Sequence, residues 1–380
     1  MGIFRSVISS AILVIFIYVA HQLTRFTDFT WLGQSLIVSF LILLFSMVVG
    51  TFLFFFKERS VEVNPWRDRL INVSLTAMAY INFLITLVIL RDIFAFADNL
   101  FAFLPIQGLY SSHATTALLS TPVLLLLIGN AVVKTGPLVK KLPLKFKNLP
   151  PDLEGLRIAH VTDLHIGATM PVHFVKKLIA RIEDLKPDLV VFTGDILDGF
   201  AAKHAAEFKI LKTLKAPHGV FYVPGNHEYY WDIHSGLQAF RDAGFHVLLN
   251  DTVNIKKGGS LLQIMGTPDP AARAFDMEGP NFPRLKSQLS PESFKIGLVH
   301  QPFLAPKVEE LGVDLLLAGH THGGQFFPWN WLIVFFQKYS KGLYRLGNMQ
   351  LYVNQGTGYW GPQLRLGTYC ELTEIVLRKD

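Results

Sequence analysis

Asp163-Leu164-His165, Gly194-Asp195, Gly225-Asn226-His227-Glu228, His300 and Gly319-His320-Thr321-His322 are five short blocks of ligand-type residues within one stretch of the chain. Each follows or ends an apolar, strand-like run. Leu156-Arg157-Ile158-Ala159-His160-Val161-Thr162 leads into the first block, and Asp188 to Thr193 into the second. Val220 to Val223 leads into the third, Phe294 to His300 carries the fourth, and Asp314 to Ala318 leads into the fifth. Any single histidine or Asp-x-His is more often structural. Five blocks in this order, each at the carboxyl end of a strand, predict a two-metal hydrolytic centre.

The intervening residues predict the scaffold. Val172 to Leu185, Ala202 to Leu214 and His234 to Ala243 have helical periodicity, and a further helix is expected around Pro306 to Leu311. Shorter strands are expected near His246 to Leu249, Val253 to Lys256 and Leu261 to Met265, with Leu351 to Asn354 and Glu371 to Leu377 at the end. Strand–helix alternation followed by a strand-rich part predicts a layered α/β fold with two sheets.

The residue types fix the chemistry. Asp163 and His165, just after one strand, can share a metal. Gly194 lets the backbone turn sharply, and the Asp195 carboxylate can bridge two cations. Asn226 offers an amide oxygen, His300 ends a strand, and His320 and His322 are two apart and can face one site. Mixed nitrogen and oxygen donors suit Mn²⁺, Zn²⁺ or Fe²⁺ and argue against calcium. Two such ions ~3.5–4 Å apart can activate a water as the nucleophile. No covalent Ser or Cys intermediate is then needed.

The pattern Asp-x-His, Gly-Asp-x-x-Asp, Gly-Asn-His-Glu, His, Gly-His-x-His resembles the calcineurin-like metallophosphoesterases over roughly residues 156–378. The resemblance implies a four-layered α/β/β/α sandwich. It implies one metal held by Asp163, His165, Asp195 and His322, and another by Asp195, Asn226, His300 and His320. It makes His227 the group that stabilises or protonates the leaving oxygen, and Asp198 the carboxylate that orients it. Glu228 is read as structural. Gly319 to Gln325 and Gly356 to Gly367 resemble, more narrowly, the transmembrane proteins with a metallophosphoesterase domain and their bacterial relatives. Some members of that wider branch cleave UDP-diacylglucosamine, so a UDP-diacylglucosamine-like pyrophosphate is one candidate substrate. The shared motifs bind metal and phosphate and do not choose between monoesters, phosphodiesters and pyrophosphates.

Upstream the chain changes character. Apolar residues make up 51% of its 380 residues and are concentrated before about Lys134. Val7 to Leu23, Trp31 to Phe56, Ile71 to Leu90 and Ala114 to Val133 each approach or exceed the ~20 apolar residues that cross a bilayer. The first is read as an uncleaved anchor, because no small-residue cleavage site follows it. Lys57, Arg59, Arg67 and Arg69 lie between the second and third blocks, and Lys134, Lys140, Lys141, Lys145 and Lys147 follow the fourth. The other connections carry only Arg25 and Arg91. This asymmetry puts both termini and the catalytic half on the cytoplasmic side of an inner or plasma membrane. The net charge of +6 is thereby read as topology, and no basic run interleaved with aromatics suggests nucleic acid. Cys370 is the one cysteine, which excludes an internal disulfide and suits a reducing compartment. The core of each span lacks charges, which argues against a transporter.

The expected organisation is a four-span region (1–135), a juxtamembrane linker rich in proline and lysine that can lie along anionic lipid (136–151), and a phosphoesterase domain (152–380). Two segments keep two readings each. Phe326 to Tyr344, with Trp331 and Phe335 and then Lys338, Lys341 and Arg345, is either a lipid-facing wedge that admits an amphiphilic phosphoester or a segment packed on the protein. Arg365 either contacts substrate phosphate or braces the last loop. The short run Phe101 to Ile106 is expected to lie at the far interface or to cap the helix bundle. The expected function is a membrane-anchored, metal-dependent phosphoester hydrolase, with a lipid or lipid-linked substrate favoured. The alternatives are a tethered hydrolase of soluble esters and a non-catalytic scaffold.

Overall fold

The computed structural model describes residues 2–25, 27–50, 64–101 and 108–380. The end of the second expected span (51–56), Lys57, Arg59 and most of the expected bundle cap lie outside them. The chain forms two compact units, one holding the N-terminal helices and the other Asn130–Asp380.

The N-terminal unit contains α1 (Gly2–Thr24), α2 (Trp31–Gly50), α3 (Pro65–Phe101) and α4 (Ser112–Lys134). Three of these, α2, α3 and α4, are long and apolar enough to cross a membrane. The first expected span, Val7 to Leu23, falls on α1, whose described side chains, Leu13–Thr24, make a shorter apolar stretch. Val19, Leu23, Leu41, Tyr80, Leu84 and Val88 are buried together among these helices. The third helix runs well past the expected span, so Arg91 lies inside it rather than in a connection. Its guanidinium is buried and satisfied by Asp92 (2.8 Å) and by the side chain of Gln22 (3.0 Å). That pairing compensates the charge where it is buried.

The second unit runs β1 (Leu138–Phe146), β2 (Arg157–Val161), β3 (Ile166–Gly167), α5 (Val172–Leu185), β4 (Leu189–Thr193), β5 (Leu197–Asp198), α6 (Ala205–Leu211), β6 (Val220–Val223), α7 (Asn226–Tyr230), α8 (Ile233–Asp242) and β7 (His246–Val247). It continues with β8 (Asp251–Lys257), β9 (Ser260–Gly266), α9 (Phe282–Gln288), β10 (Phe294–Leu298), α10 (Ala305–Glu309), β11 (Leu315–Ala318), α11 (Trp329–Phe336), β12 (Gly342–Leu346), β13 (Met349–Val353) and β14 (Glu371–Lys379). Two six-stranded mixed sheets result, in the orders β1-β14-β2-β4-β6-β7 and β12-β13-β11-β10-β9-β8. In the first, β14 runs antiparallel to β2; in the second, the edge strands β12 and β8 run antiparallel to their neighbours.

The period of two along each strand sends alternate side chains to opposite faces. Ile158, Leu189, Val191 and Phe221 of the first sheet are buried together with Ile264, Phe294, Ile296 and Leu317 of the second. The other face of the first sheet, with Val161, Val190 and Phe192, packs on Phe174, Leu178 and Ile182 of α5 and Phe240 of α8. The other face of the second, with Met265 and Leu316, packs on Leu285 of α9 and Val308 of α10. Each such side chain contributes ~1.5–3 kcal/mol.

The expected linker is corrected. Leu138–Phe146 is a strand of the first sheet, parallel to β14 in continuous register from Leu138↔Glu371 to Phe146↔Lys379. Its lysines and Pro143 suit an edge position, where a missing ladder N–H costs little and charge blocks further pairing.

Candidate metal centre

All five ligand blocks sit just past the carboxyl ends of strands: Asp163 and His165 after β2, Asp195 after β4, Asn226 after β6, His300 after β10, His320 and His322 after β11. Within their sheets β2, β4 and β6 are parallel neighbours, and so are β10 and β11. One edge of the two-sheet layer therefore collects every block.

The backbone there is unusual. Nine non-glycine residues among those described have positive φ, and five of them are Asp163, His165, Asp195, His320 and His322. Such residues cost ~1–3 kcal/mol each and persist only where the surroundings over-determine them. Close packing is part of that determination. Gly194 has φ +87°, and a Cβ there would lie 2.6 Å from both the Gly225 nitrogen and His300 Nδ1. A Cβ on Gly319 would lie 2.0 Å from Thr162 Oγ1 and 2.3 Å from Asp163 Oδ2.

The side chains converge as a chain of ligand atoms. His165 Nε2 lies 3.0 Å from His322 Nε2, which lies 3.4 Å from Asp163 Oδ1. Asp195 Oδ2 lies 3.9 Å from His165 Nε2 and 3.1 Å from His300 Nε2. His320 Nδ1 then lies 3.2 Å from His300 Nε2 and 3.1 Å from Asn226 Oδ1. Asp195 thus stands in the middle, with Asp163, His165 and His322 on one side and His300, His320 and Asn226 on the other. His165, Asp195 and His227 form a third cluster of ligand-type atoms.

This donor set fits metal ions. His300 Nδ1 donates to the Thr193 carbonyl at 2.8 Å, so its Nε2 faces the Asp195 carboxylate and His320 as the remaining ring nitrogen. Two imidazole nitrogens at 3.0 Å and a carboxylate oxygen beside them are mostly facing lone pairs, which a cation between them would satisfy. Burial lowers His320 to about 4, and burial with the His165 and Arg365 charges holds His322 well below the usual range. Both shifts favour the neutral imidazole, the form that ligates metal. Burial opposes ionisation of Asp195, but His300 and His227 outweigh it and hold its carboxyl well below the ordinary range.

Other groups hold the ligands in place. Asp163 accepts from the His320 N–H (3.0 Å) and from Thr162 Oγ1 (2.8 Å). Glu228 is buried and accepts from the backbone N–H groups of Asp195 (3.0 Å), Ile196 (2.6 Å), Leu197 (2.9 Å) and Gly225 (2.7 Å). It thus ties the loop carrying Asp195 to the turn carrying Asn226, in the structural role expected for it. Asp198 Oδ1 lies 3.1 Å from His227 Nδ1, off the line of a formal hydrogen bond, and Asp198 Oδ2 lies 3.5 Å from His165 Nδ1. Asp198 also accepts from Trp231 Nε1 at 2.9 Å, a contact the sequence reading missed. Also missed were the rings beside His227, Tyr230 at 5.0 Å and Trp360 at 5.8 Å between centroids. The aromatic run Tyr229-Tyr230-Trp231, directly after Asn226-His227-Glu228, was the available signal.

Arg365 is corrected as a substrate contact. It is fully buried, and it donates to the carbonyls of Gly358 (2.7 Å), Gly356 (3.1 Å) and His322 (3.1 Å). It braces the last loop against the loop of His322. Arg365→Met leaves those buried carbonyls unpaired at ~1–3 kcal/mol each, so the thermal midpoint should fall by many degrees with KM nearly unchanged in the folded fraction. A wild-type midpoint with a raised KM would restore the substrate role. Trp331 and Phe335 stand on α11 and are 69% and 80% exposed.

Comparison with known proteins agrees with this geometry. A family model for the calcineurin-like phosphoesterases matches residues 156–324. An uncharacterized metallophosphoesterase of Bacillus subtilis is 33% identical over 245 residues, covering 62% of this chain and 83% of that one. One from Campylobacter jejuni is 34% identical over 251 residues, 66% of this chain and 65% of the relative. The transmembrane protein with metallophosphoesterase domain of Danio rerio is 28% identical over 278 residues, 71% of this chain and 64% of the relative. The match thus spans just under two thirds of the length of the Campylobacter and Danio proteins. Strand ends, ligand blocks and relatives together make the chain a member of the calcineurin-like phosphoesterases, with His/Asp clusters of the kind that could hold metal ions.

Proposed function

We propose that this metallophosphoesterase is a dinuclear enzyme held in an inner or plasma membrane by its N-terminal helices. It works at the cytoplasmic face on a lipid or lipid-linked phosphoester, such as a UDP-diacylglucosamine-like pyrophosphate. The two sheets with helices on their outer faces are read as the four-layered α/β/β/α sandwich, beginning with β1 rather than at residue 152. The positive-inside bias of the connections supports the orientation.

Asp163, His165, Asp195 and His322 would hold one divalent ion, and Asp195, Asn226, His300 and His320 the other, with Mn²⁺, Zn²⁺ or Fe²⁺ suited to the donors. Ions bound there supply a water nucleophile at neutral pH and neutralise phosphoryl charge. The chain's own groups do the rest. Asp195 accepts the backbone N–H of His227 at 2.9 Å, which ties the first turn of α7 to the centre and places the His227 ring at the rim. Asp198 faces Nδ1 of His227, leaving Nε2 to carry a proton to the leaving oxygen. Asp198 and Glu228 are positioning residues.

The observation that carries the substrate class is α11, which follows the loop of His320 and His322, is apolar but for Asn330, and is exposed at six of its eight residues. An acyl chain lying on Trp331 and Phe335 would approach the centre from that side. Replacing both with serine should cost hydrolysis of a lipid-linked phosphoester about tenfold or more, by loss of ~1–3 kcal/mol of apolar contact. A soluble aryl phosphate should be cleaved nearly as before. Equal losses on both substrates would remove the lipid assignment.

A further inference from the structure

The helix α11 reads Trp-Asn-Trp-Leu-Ile-Val-Phe-Phe, and none of its residues is buried. Val334 is 58% exposed and Phe336 72%, beside the still more exposed Trp331 and Phe335. Apolar residues face outward on several sides of the helix, not along one stripe. A protein groove takes a stripe, whereas an all-round apolar surface suits hydrocarbon. Asn330 is the one polar side chain of α11. Its amide lies against Gly367, where a Cβ would come within 2.2 Å of Nδ2.

Charge agrees with the same partner. Lys338 follows the helix directly, and Lys341 and Arg345 are exposed on and beside the edge strand β12, with Leu343 49% exposed between them. Aromatic rings next to cations are the composition of the bilayer interface, rings at headgroup depth and cations on lipid phosphate. Among the described residues, three helices of the same chain are long and apolar enough to cross a bilayer.

The base of the helix is held firmly. Gln325 Nε2 donates to the Trp360 carbonyl at 2.9 Å, and the Trp360 N–H donates to Gln325 Oε1 at 2.9 Å. Phe326 bridges to Leu366. Whatever holds α11 also holds the loop that carries His320 and His322.

We infer that α11 inserts into the headgroup–acyl boundary of an anionic bilayer, with Lys338, Lys341 and Arg345 on lipid phosphates. The insertion is a property of the surface and does not rest on any hydrolytic reading. Because Cys370 is buried, a cysteine placed at Phe335→Cys or Phe336→Cys can be labelled selectively with an environment-sensitive fluorophore. The full chain is reconstituted into phosphatidylcholine–phosphatidylglycerol nanodiscs, with exposed Lys212→Cys as the control. Both helix labels should shift to the blue and resist iodide. A nitroxide lipid that places its spin ~5–10 Å below the surface, the depth of interfacial helices, should quench them about twofold or more. Lys212→Cys should show the reverse. Iodide-accessible helix labels overturn the inference. So do labels shielded from both quenchers, which would place α11 against the chain's own helices. Energy transfer between differently labelled copies would place it against a second copy and overturn it equally. Unchanged lipid quenching in pure phosphatidylcholine overturns the anionic part.

Discussion

Asp195→Asn is expected to lower phosphoester turnover on the order of 10³-fold, the loss of ~4 kcal/mol of charge stabilisation at 1.36 kcal/mol per decade. The substitution is close to isosteric, and an amide oxygen can still accept the His227 N–H that Asp195 Oδ1 now accepts at 2.9 Å. The turn after β4 also keeps its hold, because Glu228 binds the backbone of residues 195–197 and not the carboxylate. What changes is the group facing His300 Nε2 at 3.1 Å and His165 Nε2 at 3.9 Å. A neutral amide bears no charge to share between two cations, and one orientation puts N–H protons where a metal would sit. Metal analysis of the purified variant should therefore show fewer ions per chain than wild type, with a near-native thermal midpoint before metal is added. Full metal content with turnover within tenfold of wild type would remove Asp195 from the centre of the arrangement.

The sequence disclosed this centre because each ligand block adjoins the strand that positions it. A strand end and the next few residues are local, so Asp163 after Val161 or His320 after Ala318 can be read from neighbours in the chain. What was misread depends on distant partners. Leu138–Phe146, with its three lysines and Pro143, has a linker's composition, yet it pairs with β14 at the other end of the catalytic unit. Its alternation of Leu138, Lys140, Leu142, Leu144 and Phe146 fits an edge strand, but no local signal distinguishes that from a spacer. Arg365 could be assigned only when the carbonyls of Gly356, Gly358 and His322 were seen around it. The partners of Arg91 inside α3, Gln22 and Asp92, were likewise not visible from its neighbours in the chain alone. The left-handed backbone at five of the ligands has no sequence signature, since glycine, the usual marker of that region, is absent at those positions.

The role of His227 makes the second large effect, and its size should depend on the leaving group. Its ring stands edge-on to His165 at 4.7 Å, with Nδ1 toward Asp198, which is itself held by Trp231. Burial alone would lower its pKa, but the Asp198 and Asp195 carboxylates push it up to about 9. That direction favours a protonated ring at neutral pH, and cations bound nearby would make that proton easier to give up. His227→Ala should slow cleavage of an alkyl phosphoester by ~10²–10⁴-fold, the range for a general acid. A nitrophenyl ester, whose leaving oxygen needs no proton, should lose less than about tenfold. Asp198→Asn should fall between, because it turns the ring without removing it. The same experiment separates the acid from a ligand: His227 lies in a cluster with His165 and Asp195 that could hold an ion. A general acid leaves the metal content of His227→Ala at the wild-type level. A ligand loses an ion, and then both esters should slow together.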